Sequence, residues 1–384
     1  LGITTPRIGP FQMTFPLSAY AAGHAVLWGA LCIGLVLGAS TQLSRFCTMG
    51  ALTDFFAYGG VARMLMWLLA IAVAAWGTHA LVVFGFVDAT KTLAWSSRFL
   101  WLSYLVGGLA FGFGMVLASG CPQRNLVRAG SGSLKALVTL LVTALAAQMA
   151  LRGVFAVPRV EFLDTATLQL TSPQDLGSLL SPHLGSSPSA VRWGVILLLS
   201  AATVALLYRH RRTMDRTHFL GGIAVGLLVP LGLFLTGYMG FIPEHPETLE
   251  PVWMNTYSHR PELLTFAAPL AHSLDLLTLW SDRNNTVTYG VLVVLGVLLG
   301  STASSILRKE FRFESFTSPK DTAHHLLGGV LMGVGGVTAM GCSIGQGVSG
   351  LAMLSAGAVI AVAGIVLGSW VGFHFQSWQL EHSS

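Results

Sequence analysis

Stretches of about twenty apolar residues recur along the chain with almost no charge inside them, and this limits the possible folds more than any other feature. An α-helix rises about 1.5 Å per residue, so each run is long enough to cross the roughly 30 Å hydrocarbon core of a bilayer. Nine runs have this character, at about 18–43, 63–86, 99–119, 135–157, 190–208, 219–240, 287–307, 323–341 and 351–373. Charged residues make up only 10% of the 384 positions, too few to cover a water-exposed surface. The ten-residue alternating strands of a membrane β-barrel are absent. The expected fold class is all-α, a polytopic membrane protein of about nine spanning helices in a lipid bilayer.

Three apolar pieces are too short to cross: 46–58, the Gly-rich turn 120–134, and 342–350. They read as re-entrant half-helices. Segment 262–280 carries Pro269, His272 and Asp275 just after Pro261, and reads as a half-helix or surface helix. The Ser-, Pro- and Leu-rich loop 158–190 is expected to cover the external mouth.

A net charge of +5 does not imply nucleic acid, because no basic cluster has interleaved aromatics. Basic residues mark cytoplasmic loops instead. If the first residues face outside, thirteen of the 21 Lys and Arg fall inside, among them Arg45, Arg63, Arg124, Arg128, Lys135 and the tract Arg209–Arg216. The outer set is Arg7, Lys91, Arg98, Arg152, Arg159, Arg192, Arg260 and Arg283. This predicts the N-terminus outside and the C-terminus inside, in the cytoplasm. The first sixteen residues hold Arg7 and three prolines but no apolar core ending in a cleavage site, so no signal peptide is expected. The missing initiator Met reads as trimming, and the final Leu-Glu-His-Ser-Ser as a cloning remnant without functional meaning.

Sliding the chain by 221 residues superimposes Gly107, Gly108, Gly112, Gly114, Gly120 and Cys121 on Gly328, Gly329, Gly333, Gly335, Gly341 and Cys342. A weaker match runs from Gly29, Gly34, Met49 and Gly50 to Gly221, Gly226, Met239 and Gly240, with Cys47 opposite Gly237. Five spans separate corresponding helices, and an odd offset reverses orientation. The expected organisation is an inverted repeat within one integral membrane domain: residues 1–210 hold the first copy and a connecting fifth span, and 211–384 hold the second. Inverted repeats bring interrupted helices together at the membrane midplane, where solutes bind. Gly107, Gly108, Gly112 and Gly114 read as close helix packing. For Gly120 and Gly341, close approach to a ligand stands equal to packing. Gly112-x-Gly114 follows helix and leads to nothing that would hold a nucleotide, so it carries no such signal.

Four cysteines are present, Cys32, Cys47, Cys121 and Cys342, without a Cys-x-x-Cys or a His at zinc spacing; no metal or other cofactor is expected. Cys32 sits in an apolar run and reads as a buried small hydrophobe. Cys47, Cys121 and Cys342 each follow a span at a break, within Arg45-Phe-Cys47-Thr-Met-Gly50, Ser119-Gly-Cys121-Pro-Gln-Arg-Asn125 and Met340-Gly-Cys342-Ser-Ile-Gly-Gln346. A neutral thiol is a weak donor and a soft acceptor, suited to a solute that is itself a sulphur species. A thiolate would repel an anion. Burial favours the thiol, whereas Arg45, Arg124 or a half-helix N-terminus would favour the thiolate, and both readings stand at this point. Arg45, Gln123, Arg124, Asn125 and Gln346 flank the thiols and are candidate donors to anionic oxygens, with Arg124 equally an inner-face anchor.

These three cysteine motifs, with Arg45-Phe-Cys47-Thr-Met-Gly-Ala-Leu-Thr-Asp54 and Gly341-Cys342-Ser-Ile-Gly-Gln346-Gly as the fullest, resemble the YeeE/YedE (sulphur-transport domain) family of inner-membrane proteins. The resemblance covers about 18–373. It implies uptake of thiosulphate along an hourglass-shaped path, relayed by S–H···S hydrogen bonds at Cys47, Cys121 and Cys342. It also implies that a related sulphur or selenium species, and a small cytoplasmic sulphur-carrier protein, are candidates for substrate and partner. Loop 158–190 and region 241–286 match no motif of the family.

Two function classes follow. In a conduit, thiols are distributed along a path; in an enzyme, one nucleophilic Cys would form a persulphide for a carrier protein. Three separated motifs, two of them symmetry-related, favour the conduit and a protein that is not an enzyme. Asp54 is expected to pair with Arg45 or Arg63. His24, His79, His272, His324 and His325 read as interfacial or packing residues, and Trp67, Trp76, Trp95, Trp101, Trp193 and Trp253 as an interfacial belt. The clear spans hold no chain of acidic residues, which argues against proton coupling.

Overall fold

In the computed structural model, residues 18–245, 249–282 and 285–382 are described; Arg7, the early prolines and Arg283 lie outside them. In chain order the helices are α1 (Ala19–Ser44), α2 (Thr48–Tyr58), α3 (Ala62–Val83), α4 (Trp101–Leu117), α5 (Pro122–Gly130), α6 (Leu134–Arg152), the single turn α7 (Ala156–Pro158), α8 (Leu176–Leu184), α9 (Pro188–Arg209), α10 (Arg216–Phe234), α11 (Ala267–Thr278), α12 (Tyr289–Leu307), α13 (Pro319–Thr338) and α14 (Ala356–Glu381). The strands among the described residues are two-residue pieces in antiparallel pairs. β1 (Arg98–Phe99) joins β2 (Leu168–Gln169), and β3 (Phe241–Ile242) joins β4 (Val252–Trp253).

Each of the nine expected runs is helical. Eight helices among the described residues, α1, α3, α4, α6, α9, α10, α12 and α14, are long and apolar enough to cross a membrane. The other is α13, whose 20 residues open on Pro319, Lys320 and Asp321 and carry His324 and His325. The protein is an all-α polytopic membrane protein.

The short pieces are half-helices, as their length requires. Pieces 46–58 and 120–134 become α2 and α5, and 342–350 becomes a π-helical turn, Gly345–Gly350. Segment 262–280 contains the 12-residue α11, which buries Ala267, Pro269, Leu270, Ala271, His272 and Asp275. Two boundaries differ from expectation. Helix α14 starts at Ala356 and not 351, because the chain leaves the π-helical turn through the left-handed Leu354 (φ 54°). Helix α10 passes into a second π-helical turn, Leu235–Met239.

Helix packing exchanges partners between the two halves. α1 packs on α12 while α10 packs on α3; α4 packs on α14 while α13 packs on α6; α4 and α13 pack on each other. The glycines explain the closeness. A Cβ on Gly107 would meet the backbone of Thr338 and Ala339, one on Gly108 that of Ala361 and Gly364, and one on Gly112 that of Ile365. Gly114 and Gly328 face each other in the same way. In lipid, where helices gain nothing from leaving water, such backbone approach carries the association.

The half-helices follow the same exchange. α2 packs on α3 and α14, and α11 packs on α12 and α6. The second-half counterpart of α2 is thus α11, reached after the intervening stretch that contains β3 and β4. Gly237, which the linear match sets opposite Cys47, lies instead in the π-helical turn that ends α10.

Two other expectations need correction. Cys32 is exposed, because α1 turns Ala30, Ile33, Gly34 and Leu37 inward and leaves position 32 on its outer face. Trp67 and Trp95 are buried and belong to the core: Trp67 lies over Gly347, and Trp95 Nε1 donates to the Met353 carbonyl at 2.8 Å. Trp76 and Trp101 remain exposed. Loop 158–190 is pinned to the turn before α14. Asp175 accepts from the Ser178 N–H at 2.9 Å and from Arg192 Nε at 2.7 Å, and Leu176 N–H donates to the Leu354 carbonyl at 2.9 Å.

Candidate functional site

Three breaks share one backbone device. Arg45 (φ 53°), Ser119 (φ 53°) and Met340 (φ 55°) are left-handed residues with side chains, and each stands two positions before a cysteine. The left-handed residue ends α1, α4 or α13 by turning the chain out of the helix. Two residues later a cysteine opens the next half-helix. Irregular backbone at such depth is tolerated only where protein encloses it. Cys47, Cys121 and Cys342 are accordingly 7%, 1% and 0% exposed.

Cys47 is the N-cap of α2, in extended conformation, and its Sγ accepts from the Gly50 N–H at 3.2 Å. Cys121 is the N-cap of α5, with Pro122 at the first helical position, where a missing N–H is harmless. Cys342 Sγ accepts from the Gly345 N–H at 3.4 Å as the π-helical turn begins. Backbone N–H groups thus donate to the sulphur of both Cys47 and Cys342. Cys121 contacts Ser343 and the Arg124 backbone, and interacts electrostatically with both Cys47 and Cys342. The three thiols, far apart in sequence, are thus all buried, with Cys47 and Cys342 within electrostatic reach of Cys121.

Two cavities lie at opposite ends of α12. The first, of about 320 Å³, is lined by Thr288 and Gly290 at the start of α12 and by Glu262, Thr265, Gly341, Gly345 and Gln346. The second, of about 720 Å³, is lined by Lys309, Glu310 and Arg312 just past the end of α12, with Gln42, Arg45, Arg63, Arg124 and His218. The described lining of neither cavity includes a thiol. Gly341 and Gly345 bring the first cavity to Cys342; Arg45 and Arg124 bring the second to Cys47 and Cys121. The thiols themselves line neither cavity and adjoin residues that line each.

The flanking candidates divide between the two sides. Arg45 and Arg124 face the cationic second cavity, where Arg63 is paired with Asp54 at 2.6 Å. Asp54 thus takes Arg63 and not Arg45. Gln346 lines the first cavity and donates from Nε2 to the Ala339 carbonyl at 2.7 Å, with Gly341 against it. Asn125 donates to the Gly120 carbonyl at 3.0 Å, and a Cβ on Gly120 would press on the Arg124 side chain at 3.2 Å. Gln123 is buried with neither amide atom hydrogen-bonded.

Sequence reading missed Thr265, Ser343 and Glu262. Thr265 Oγ1 lies 3.9 Å from Cys342 Sγ, one residue before the N-cap of α11. Its signal was the half-helix at 262–280: carrying the repeat to that element, and not to Gly237, leads to Thr265.

The profile of the sulphur transport family matches residues 43–371, from the last turn of α1 into α14. The chain belongs to the sulphur transport family. All three thiols, the lining of the first cavity and, Gln42 apart, that of the second lie inside the matched region. Among curated relatives of this family member, a protein of Escherichia coli (strain K12) named thiosulfate transporter TsuA is 27% identical over 366 residues, 90% of this chain and 93% of that one. A thiosulfate transporter TsuA of Spirochaeta thermophila is 23% identical over 361 residues, 90% of this chain and 97% of the relative.

Proposed function

We propose that this sulphur transport family member takes up thiosulphate across the bacterial inner membrane, handing the anion from Cys342 through Cys121 to Cys47. The observation that carries the reading is the buried cluster of three thiols, each at a half-helix start, between cavities at opposite ends of α12. The first cavity is then the periplasmic mouth and the cationic second cavity the cytoplasmic one, with the N-terminus outside and the C-terminus inside. Residues 1–210 and 211–384 act as the two inverted halves around this path.

The physics asks for several weak contacts. An unpaired anion in an apolar interior is very unfavourable, so the wall must supply donors. Each thiol offers an S–H to the terminal sulphur of thiosulphate. The positive dipole ends at the starts of α2 and α5 add to the same field. Weak binding spread over successive sites lets an ion leave as well as arrive. Arg45 and Arg124 receive the anion at the inner mouth, where a small sulphur-carrier protein would also meet it. The enzyme reading, a Cys persulphide passed to such a carrier, needs one distinct nucleophile, and three similar thiols offer no such distinction. Another sulphur or selenium species would use the same contacts.

The test is uptake of labelled thiosulphate by cells without other importers. Replacement of Cys47, Cys121 or Cys342 by Ala is expected to lower uptake more than about tenfold, equivalent to about 1.4 kcal/mol. Cys32→Ala should transport nearly as wild type. Normal uptake by the Cys121 and Cys342 variants would sink the proposal. In liposomes, purified protein should pass thiosulphate intact without a carrier protein; a strict carrier requirement would favour the enzyme.

A further inference from the structure

The first cavity holds a carboxyl for which the thiol relay has no use. Glu262 lies in the connection before α11 and shares the lining with Thr265, Gly341 and Gln346. Its backbone is clamped to Thr236, whose hydroxyl donates to the Glu262 carbonyl at 2.9 Å and accepts from the Glu262 N–H at 3.1 Å. Its Oε1 accepts from both the N–H and the hydroxyl of Ser258, each at 2.9 Å. These bonds use one carboxyl oxygen and hold the group in place at the cavity wall.

The charges around it do not neutralise it. Arg159, in the same lining, is taken by Asp164 at 3.1 Å and by the Ala150 carbonyl at 3.2 Å. His272, on α11, is next to Asp275 at 3.8 Å and stacked on Tyr257. From α12 the buried Tyr289 hydroxyl, without a hydrogen-bond partner, lies within electrostatic reach. Tyr104 of α4 also lines the cavity, and His259 acts on Glu262 from the same connection. Burial pushes the Glu262 carboxyl above the ordinary range, against the opposing pull of the two Ser258 hydrogen bonds and His259.

A cavity of about 320 Å³ is too small to separate an ionised carboxylate from a divalent anion. The repulsion vanishes if the carboxyl is protonated, and the group then becomes a donor. We propose that the outer cavity takes its sulphur oxyanion together with one proton, and that Glu262 is where the proton sits. This rests on the uptake reading above. Linkage makes the effect reciprocal: the proton raises anion affinity, and the anion raises proton affinity by the same factor. The proton is drawn from the outer solution and ends on the free carboxyl oxygen, with no covalent change in the anion.

The test is calorimetric binding of thiosulphate to the full-length purified protein between about pH 5 and about pH 9, in buffers of different ionisation enthalpy. Wild-type affinity is expected to fall towards about tenfold per pH unit at the alkaline end, with net proton uptake on binding. Glu262→Gln should bind with flat pH dependence and no proton uptake. Ser258→Ala, which removes a donor to the carboxylate, should move the wild-type transition to higher pH and covers the case of a Gln variant that does not fold. A flat wild-type profile, a Gln variant that keeps the slope, or an unmoved Ser258→Ala transition overturns the proton site alone. Absence of thiosulphate binding in every protein at every pH overturns the uptake reading as well.

Discussion

Thr265 Oγ1 lies 3.9 Å from Cys342 Sγ, where α11 begins and the first cavity meets the thiol cluster. The hydroxyl orients the Cys342 S–H or shares it. Thr265→Val keeps the shape and removes the hydroxyl, so thiosulphate uptake should fall about two- to tenfold, the range of one neutral hydrogen bond. Thr265→Ser should stay close to wild type. Equal uptake by the Val and Ser variants would show that the hydroxyl has no part in the relay.

Close packing makes a stability prediction with an internal control. Gly112 has the Ile365 backbone where a Cβ would go, whereas Gly194 in α9 has open space there. Gly112→Ala should destabilise by about 1–3 kcal/mol through overpacking. Gly194→Ala should stabilise by about 0.5–1 kcal/mol through lost chain freedom. Thermal unfolding in detergent reads both, and equal melting temperatures would contradict the packing account.

Asp175 is fully buried, caps α8 and holds Arg192, which stacks over Trp95 at 4.0 Å. Asp175→Ala leaves that guanidinium without its carboxylate and the α8 N-terminus without a cap. A loss of about 3 kcal/mol is expected. Limited proteolysis should then cut within 158–190 far faster than in wild type, while cuts elsewhere stay unchanged.

A pH dependence of stability follows from Glu314, which meets Lys135 at 2.6 Å and Arg128 at 3.5 Å. Partial burial works to raise its pKa, but the Lys135 hydrogen bond and the Arg128 charge prevail and hold the carboxyl below the ordinary range. The unfolded chain therefore binds this proton more readily than the folded one, and stability rises with pH through that window. The contribution is complete above the ordinary glutamate value and is lost as pH falls through the folded value. Glu314 is 48% exposed, so solvent screening limits the effect to at most about 1 kcal/mol. Glu314→Gln should melt slightly below wild type at neutral pH and together with it in acid.

Helical runs, half-helices and the cysteines at helix breaks were legible because each leaves a one-dimensional mark: twenty apolar residues, a piece too short to cross, or a Cys just after a span. What escaped depends on the third dimension. The inward face of α1 decides that Cys32 points outward, and hydropathy of a run says nothing of that face. Trp67 and Trp95 look like belt residues until Gly347 and the Met353 carbonyl are seen beside them. Glu262 lies outside every clear span, so a search for acidic residues within spans passes over it. Thr265 was hidden by the stretch between α10 and α11, which shifts the repeat out of a constant offset.

Three half-helix starts carry a thiol, and at the fourth, α11, Thr265 stands next to the N-cap and beside Cys342. A cysteine there would make the four starts alike in sulphur. One hydroxyl in place of sulphur breaks that equivalence. A soft ion arriving at the Thr265 side and one arriving at the arginine side meet different first partners, so the two approaches to the thiols are chemically distinct.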